Sequence, residues 1–217
     1  MRIAALILTL AALAACSGPR DLTPAGPSAR PSARHVAALA DSLAEAASTT
    51  PRRAFLERSL RRYGVTPLRD GVGRSRYQVD LGVPIVGGFI PGHHPVGRTD
   101  LVVVGTRLDG AGVAALLEAV AVLAERSRWT SQPERSLQVS FWPAGDGVRQ
   151  ALRSSLWPRD AIRAVVMIGP DGPAQVDGIP VVRLAPDADP LALAEALVAR
   201  VLAEATYAPL PDTLATP

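Results

Sequence analysis

Apolar positions along the chain follow two periods in alternation, and together they predict helices interleaved with strands. Apolar residues that recur every three or four positions are typical of a helix with one buried face, and short continuous apolar runs are typical of covered strands. The helical pattern is seen at 33–47, 51–63, 113–126, 148–156 and 190–205, and the strand pattern at 77–81, 85–90, 101–104, 137–142, 164–168 and 179–184. This alternation predicts the α/β class, as a three-layer α/β/α sandwich with a mixed central sheet.

The first residues have the pattern of a bacterial export signal. Arg2 precedes an apolar stretch at 3–15, interrupted only by Thr9, which is too short to span a bilayer. The stretch ends in Leu-Ala-Ala followed by Cys16, which resembles the lipoprotein box, in which the cysteine is acylated and becomes the new N-terminus. The alternative is an ordinary leader with a chance cysteine. We expect residues 1–15 to be a signal peptide and a lipid on Cys16 to hold the exported protein at a membrane surface of the cell envelope.

The rest of the chain divides into a tether, one domain and a tail. Residues 16–32 are rich in proline, glycine, serine and alanine without any period, which predicts a flexible tether. Residues 33–205 carry the helix and strand patterns, and their number suits a single domain. Residues 206–217 are expected to form a C-terminal tail.

Composition excludes several classes of function. All 23 basic residues are arginine, so lysine-dependent Schiff-base chemistry and Walker-type nucleotide hydrolysis are excluded. The net charge is only +3 and the arginines are scattered, which argues against binding of nucleic acid. Residues 110–115 loosely fit a dinucleotide fingerprint, but four residues separate them from Gly105 and no acid ends the next strand, so no nucleotide is expected.

Three loops that follow predicted strands each contain an aspartate. The loops at 105–112, 143–147 and 169–172 contain Asp109, Asp146 and Asp171, respectively. In open α/β sheets, ligands bind in the crevice beyond the carboxyl ends of the strands. The three loops therefore predict a functional crevice at this end of the sheet.

The strand, loop and helix at 101–118 resemble family twenty-eight of the metallopeptidases, the co-catalytic zinc exopeptidases that include bacterial leucyl aminopeptidases. Further segments resemble the family in the same order, at 85–91, 133–142, 166–172 and 178–180. The resemblance covers roughly 52–205 and implies the zinc-exopeptidase fold, a phosphorylase/hydrolase-like α/β sandwich. It also implies the chemistry of that family, in which two zinc ions share a bridging water that attacks the peptide bond.

The chain departs from the family at most of the positions that carry this chemistry. The family's His-x-Asp is Arg107-x-Asp109 here, and a guanidinium has no lone pair for zinc. The family's glutamate pair is Gly145-Asp146, so the general base is lost and a shorter carboxylate remains. Asp171 matches the later ligand, whereas the bridging aspartate and the last histidine have no counterpart.

The resemblance thus implies a metal site reduced to Asp146 and Asp171, with no catalytic residue and no expected cofactor. We interpret the domain as a pseudopeptidase that binds a peptide or protein, or acts as a scaffold. In this hypothesis Arg107 takes the place of the lost metal between Asp146 and Asp171, with Asp109 behind it; the alternative is that Arg107 simply faces solvent. A second hypothesis is an active hydrolase with a single zinc on the three aspartates.

Two weaker signals complete the sequence analysis. His93 and His94 are adjacent in a loop, so they are expected to point apart and not to share a metal, and His35 is expected to be exposed on the first helix. The tryptophans are expected to pack rather than to bind sugar, at Trp129, Trp142 and Trp157.

Overall fold

A computed structural model describes residues 23–46, 48–70, 72–80, 84–143, 148–149, 152, 155, 157–170 and 172–208. The helices in this part of the chain are α1 (Ala33–Glu45), α2 (Thr49–Arg62), α3 (Val113–Trp129) and α4 (Pro190–Glu204). The strands are β1 (Thr66–Arg69), β2 (Ser75–Arg76), β3 (Gln78–Asp80), β4 (Pro84–Ile90), β5 (Leu101–Arg107), β6 (Ser136–Trp142), β7 (Ile162–Ile168), β8 (Gln175–Val176) and β9 (Ile179–Leu184).

The strands form one mixed sheet in the order β2-β1-β4-β6-β5-β7-β9-β8, with β3 also paired to β4. The central pairs β6-β5, β5-β7 and β7-β9 are parallel. The pairs that involve β1, β2, β3, β4 or β8 are antiparallel. This mixed sheet with its flanking helices confirms the predicted α/β class.

The helices α1 to α4 pack on the same face of the sheet. Val102 and Val104 of β5 share one hydrophobic core with these helices. On the opposite face, Leu101 and Val103 belong to a second core that includes Val148, Leu152 and, at its margin, Trp157. Val148 and Leu152 are helical, in agreement with the helix predicted at 148–156, and the segment between β6 and β7 thus supplies the cover of this face.

The helix α3 is the centre of the helical layer. It contacts α1, α2 and α4 as well as β5, and its alanines allow these neighbours to approach closely. The last helix, α4, begins as predicted, since the carboxylate of Asp189 accepts hydrogen bonds from the backbone of Leu191 and Ala192, both at 3.0 Å, and Pro190 occupies the first turn.

Several element bounds differ from the prediction for a common reason. The strand predicted at 101–104 continues to Arg107, because Gly105, Thr106 and Arg107 keep their pairing with β6 although they are not an apolar run. The short strands β1, β2 and β8 were not predicted. They have few residues and no alternation, and they form only because a neighbouring strand supplies hydrogen-bond partners.

Part of the segment assigned to the tether contacts the helical layer. The backbone N–H of Gly26 donates to Glu125 at 2.8 Å, and the guanidinium of Arg126 donates to the carbonyl of Ala29 at 2.9 Å. Ala29 is also buried. Contacts with the domain therefore begin before Ala33, whereas residues 1–22 with Cys16, and the tail beyond 208, lie outside the described residues.

His35 is not exposed, and the expectation that it faces water is wrong. Its Nδ1 forms a short hydrogen bond with Glu118 of α3, a residue with no exposed surface. The other carboxylate oxygen of Glu118 accepts the N–H of Ser32 at 2.6 Å. An acidic partner 83 positions away in the sequence explains the burial of this histidine, and the pair joins α1 to α3.

None of the described helices is both long enough and apolar enough to span a membrane.

Candidate functional site

The ends of the central strands lie side by side, as the three predicted loops require. In the register of the sheet, Arg107 pairs with Trp142 and Thr106 pairs with Ile168. Adjacent strands are about 4.8 Å apart, so the loops that follow β5, β6 and β7 start close together. We call this the carboxyl end of the sheet, and the candidate site lies here.

Arg107 and Asp109 form a bidentate ion pair at this end. Arg107 is the last residue of β5, and its Nε and Nη2 donate to the two carboxylate oxygens of Asp109 at 3.1 and 2.9 Å. The pair is open to solvent, with side-chain exposures of 43% and 57%. These hydrogen bonds hold the pKa of the Asp109 carboxyl below its usual range. Near neutral pH, Asp109 is therefore ionised, and both of its carboxylate oxygens already accept hydrogen bonds from Arg107.

Of the three aspartates in the surrogate-cation hypothesis, only Asp109 lies among the described residues. Asp109 is the observed partner of Arg107. Gly145, Asp146 and Asp171 lie outside the described residues, so the pairing of Arg107 with the two other aspartates stays a prediction. The expected proximity of Asp109 to the guanidinium is present, and about half of the Arg107 side chain still faces water.

Arg52 of α2 holds the loop of Asp109 against the helical layer, a role that the sequence did not indicate. Its Nη1 donates to the carbonyl of Leu108 at 3.4 Å and its Nη2 to the carbonyl of Leu43 at 3.1 Å. Arg52 is half-buried, and its guanidinium hydrogen bonds thus join the end of α1 to the loop. Beside the loop lies a hollow of about 390 Å³, lined by Arg52, Asp109, Gly110 and small apolar side chains of α1 and α3.

Trp142 fixes the other side of the site. It has no exposed surface, its carbonyl accepts the N–H of Leu108 at 2.7 Å, and its ring lies directly over Gly105. Its Nε1 is buried without a hydrogen-bond partner among the described residues. Trp142 thus packs as predicted. Its contacts with Gly105 and Leu108 fix the end of β5 relative to the end of β6.

The described residues of the site do not fit a zinc pair. Zinc ligands are thiolates, imidazoles and carboxylates with free lone pairs. Here both oxygens of Asp109 already accept protons from Arg107, and a metal would have to displace a fixed cation. Within the ranges that the structure describes, no three histidine, cysteine, aspartate or glutamate side chains are grouped as metal ligands.

The loop histidines lie away from this site and point apart, as predicted. His93 bonds the hydroxyl of Ser127 at 2.9 Å through Nε2, whereas His94 stacks on Tyr207 with ring centroids 4.2 Å apart. The Nδ1 of His94 accepts the N–H of Gly97 at 2.9 Å, which turns the loop back on itself. Both histidines are thus used in packing at the opposite end of the sheet.

Replacement of Arg107 by glutamine is expected to raise the pKa of Asp109 toward the ordinary aspartate range. The hydrogen bonds from Arg107 are the largest cause of the lowered value. A lowered pKa contributes stability above the unfolded pKa, and this contribution is lost as the pH falls through the folded pKa. Because both side chains are exposed, we expect the ion pair to contribute less than about 1 kcal/mol to the free energy of unfolding at neutral pH and nothing in strong acid.

Carboxyl-carbon NMR titration measures this shift directly. The matched control is Arg159→Gln, which breaks an exposed pair with Asp177 elsewhere on the surface and should leave the pKa of Asp109 where it is. An Asp109 pKa that is equal in the parent chain and in Arg107→Gln would contradict the role given to the ion pair.

Comparison with known proteins gives likenesses of structure only. No family model and no curated protein matches the chain. Two solved structures of glutaminyl cyclase from Porphyromonas gingivalis are 14% identical to it, with TM-scores of 0.43 and 0.37; each match covers 64% of this chain and 60% or 59% of the cyclase. The LapA aminopeptidase of Legionella pneumophila is also 14% identical, with a TM-score of 0.32, over 62% of this chain and 35% of LapA. Membership of family twenty-eight of the metallopeptidases stays a prediction.

Proposed function

We propose that this protein is an exported envelope lipoprotein whose α/β domain is a non-catalytic counterpart of zinc aminopeptidases and acts by binding a peptide or protein at the carboxyl end of its sheet. The sequence supports export and lipidation through the apolar stretch that ends at Cys16. The sequence resemblance to zinc exopeptidases supports the peptidase ancestry.

One observation carries the non-catalytic part of the proposal. At the position where the family has a zinc-binding histidine, Arg107 supplies a cation that cannot be lost, and it engages both oxygens of Asp109. A permanent guanidinium in that place neutralises a carboxylate that a metal would otherwise need. Arg107 and Asp109 remain accessible, so the same pair can exchange one hydrogen bond for a carboxylate or a carbonyl of a bound peptide.

The purified full-length chain is expected to contain far less than one zinc per molecule after equilibration with zinc. Elemental analysis measures the metal, and hydrolysis of leucine p-nitroanilide measures aminopeptidase activity, which is expected to equal the blank. Asp109→Asn should change neither result, because no metal or base function is assigned to Asp109. The matched control is Asp177→Asn, the same change of acid to amide in the exposed pair with Arg159.

One result would contradict the proposal that the domain is non-catalytic. Stoichiometric zinc that a chelator removes together with hydrolytic activity would overturn the non-catalytic proposal. If Asp109→Asn then removed both metal and activity, the single-zinc hydrolase on Asp109, Asp146 and Asp171 would take its place.

A further inference from the structure

The helix α3 separates the candidate site from the opposite end of the sheet, where β5, β6 and β7 begin. We call that end the amino end of the sheet. The 17 residues of α3 start just after the loop of Asp109 and finish at Trp129. At 1.5 Å per residue the helix is about 25 Å long. His93, which follows β4, bonds Ser127 near the end of α3, so the end of this helix lies at the amino end of the sheet.

Trp129 is exposed, so the prediction that it packs is wrong, but a hydrogen bond holds its ring in place. It is 65% exposed, and its Nε1 donates to Glu125 at 2.8 Å. Val96, in the loop that precedes β5, is 59% exposed at the same end of the sheet. An exposed aromatic ring with one polar group, at the same end of the sheet as an exposed aliphatic side chain, suits the interface between lipid headgroups and acyl chains.

The third large apolar side chain exposed in the described ranges lies at the other end of the molecule. Val72 is in the turn between β1 and β2. Thr66 of β1 pairs with Phe89, and β1 then continues antiparallel to β4 in the direction of Val86. Val86 pairs with Phe141, near the carboxyl end of the sheet. Val72 is therefore a natural control position for any test of Trp129.

The start of the described chain lies beside Trp129. Gly26 N–H and Trp129 Nε1 donate to the same oxygen of Glu125, each at 2.8 Å. Six residues lie between Cys16 and Thr23. Even a fully extended chain covers only about 3.5 Å per residue, so Cys16 lies at most about 25 Å from Thr23. A lipid on Cys16 would keep this end of the domain close to the membrane.

Most of the acidic side chains described at the amino end are paired with arginines, which lowers the negative charge presented to an anionic lipid surface. The exposed Asp160 and the half-buried Glu134 have no such pair among the described contacts. The described pairs are Glu125 with Arg128, Asp100 with Arg135 and Arg163, Asp177 with Arg159, and Glu204 with Arg200. The exposed Arg98, in the same loop as Val96, adds a further cation. Neutralised carboxylates and additional arginines are compatible with contact to phosphatidylglycerol headgroups.

We propose that the amino end of the sheet, around Trp129 and Val96, docks on the lipid surface and that the carboxyl end with Arg107 and Asp109 faces away from it, about 25 Å farther out. This inference rests on the proposed lipid on Cys16. The lipid determines that the protein is at the membrane, and Trp129 determines which end meets it. The candidate binding site is then presented to partners in the aqueous space.

Tryptophan quenching by brominated lipid tests this orientation on the full-length, lipid-modified chain. The protein is reconstituted into vesicles of phosphatidylethanolamine and phosphatidylglycerol, with plain or brominated acyl chains. Trp129→Phe is expected to float with the vesicles as the parent does but to lose most of the bromine-dependent quenching. The matched control adds Val72→Trp to Trp129→Phe, which restores an exposed tryptophan at the carboxyl end and should not restore quenching.

Each outcome decides between the two proposals. If the parent floats but is quenched no more than Trp129→Phe, lipid docking is overturned and the lipid on Cys16 stands. If palmitate does not label the parent and Cys16→Ala fractionates with membranes exactly as the parent does, the lipid proposal fails and the docking proposal fails with it. Protection of Trp129 in native membranes but not in vesicles would mean that a protein covers this end, which also overturns lipid docking.

Discussion

Gly105→Ala is expected to destabilise the domain by more than about 3 kcal/mol, near the upper limit of ordinary overpacking effects. A Cβ at this position would lie 2.5 Å from both the carbonyl oxygen of Ser140 and Cη2 of Trp142. The first is backbone in a central strand, and the second belongs to a fully buried ring, so neither can move without opening the second core. Since Trp142 also accepts the N–H of Leu108, the loop of Asp109 would move with it.

Urea unfolding of the parent and the variant measures this effect. The control is Gly110→Ala in the same segment, whose Cβ would meet nothing closer than the Arg107 carbonyl at 3.3 Å. We expect the free energy of unfolding of Gly110→Ala to stay within about 1 kcal/mol of the parent value, since alanine also lowers the entropy of the unfolded chain. Equal unfolding midpoints for Gly105→Ala and Gly110→Ala would show that Trp142 does not fill the space over Gly105.

The sequence predicted the elements whose own residues carry the pattern. The apolar run of β5 and the helix cap at Asp189 and Pro190 are examples, because their signals are local. The extension of β5 to Arg107 was missed, since the ladder with β6, and not side-chain hydrophobicity, continues the strand. The predicted meeting of three loops at one end of the sheet follows from parallel strands, and the register of β5, β6 and β7 agrees with it.

The polar side chains whose contacts could not be predicted from the sequence have partners far away along the chain. Arg52 and His35 lie on amphipathic helices, where a charged or polar type predicts exposure. Each is instead held by groups far along the chain, Arg52 by the carbonyl of Leu108 and His35 by Glu118. No local period contains that information, because it depends on how α1, α2 and α3 pack together.

Glu118→Leu is expected to lower the free energy of unfolding by about 3–5 kcal/mol, because it removes one member of a buried polar pair. Glu118 has no exposed surface, and its two oxygens bond His35 and the N–H of Ser32. Leucine fills a similar volume but accepts no hydrogen bond, so the buried Nδ1 of His35 and the half-buried N–H of Ser32 would both lose this partner. Hydrogen exchange at Ser32 is expected to rise, because the contact of the N-terminal segment with α3 is lost.

The double variant His35→Leu with Glu118→Leu separates pairing from packing. Replacing both members of a buried pair by apolar residues is often nearly neutral, so the double variant should recover part of the loss, and its effect should be smaller than the sum of the single effects. Glu204→Ala, which breaks the exposed pair with Arg200, is the control and should cost less than about 1 kcal/mol. If the two single effects simply add, the hydrogen bond between His35 and Glu118 does not hold α1 to α3, and side-chain volume alone explains the loss.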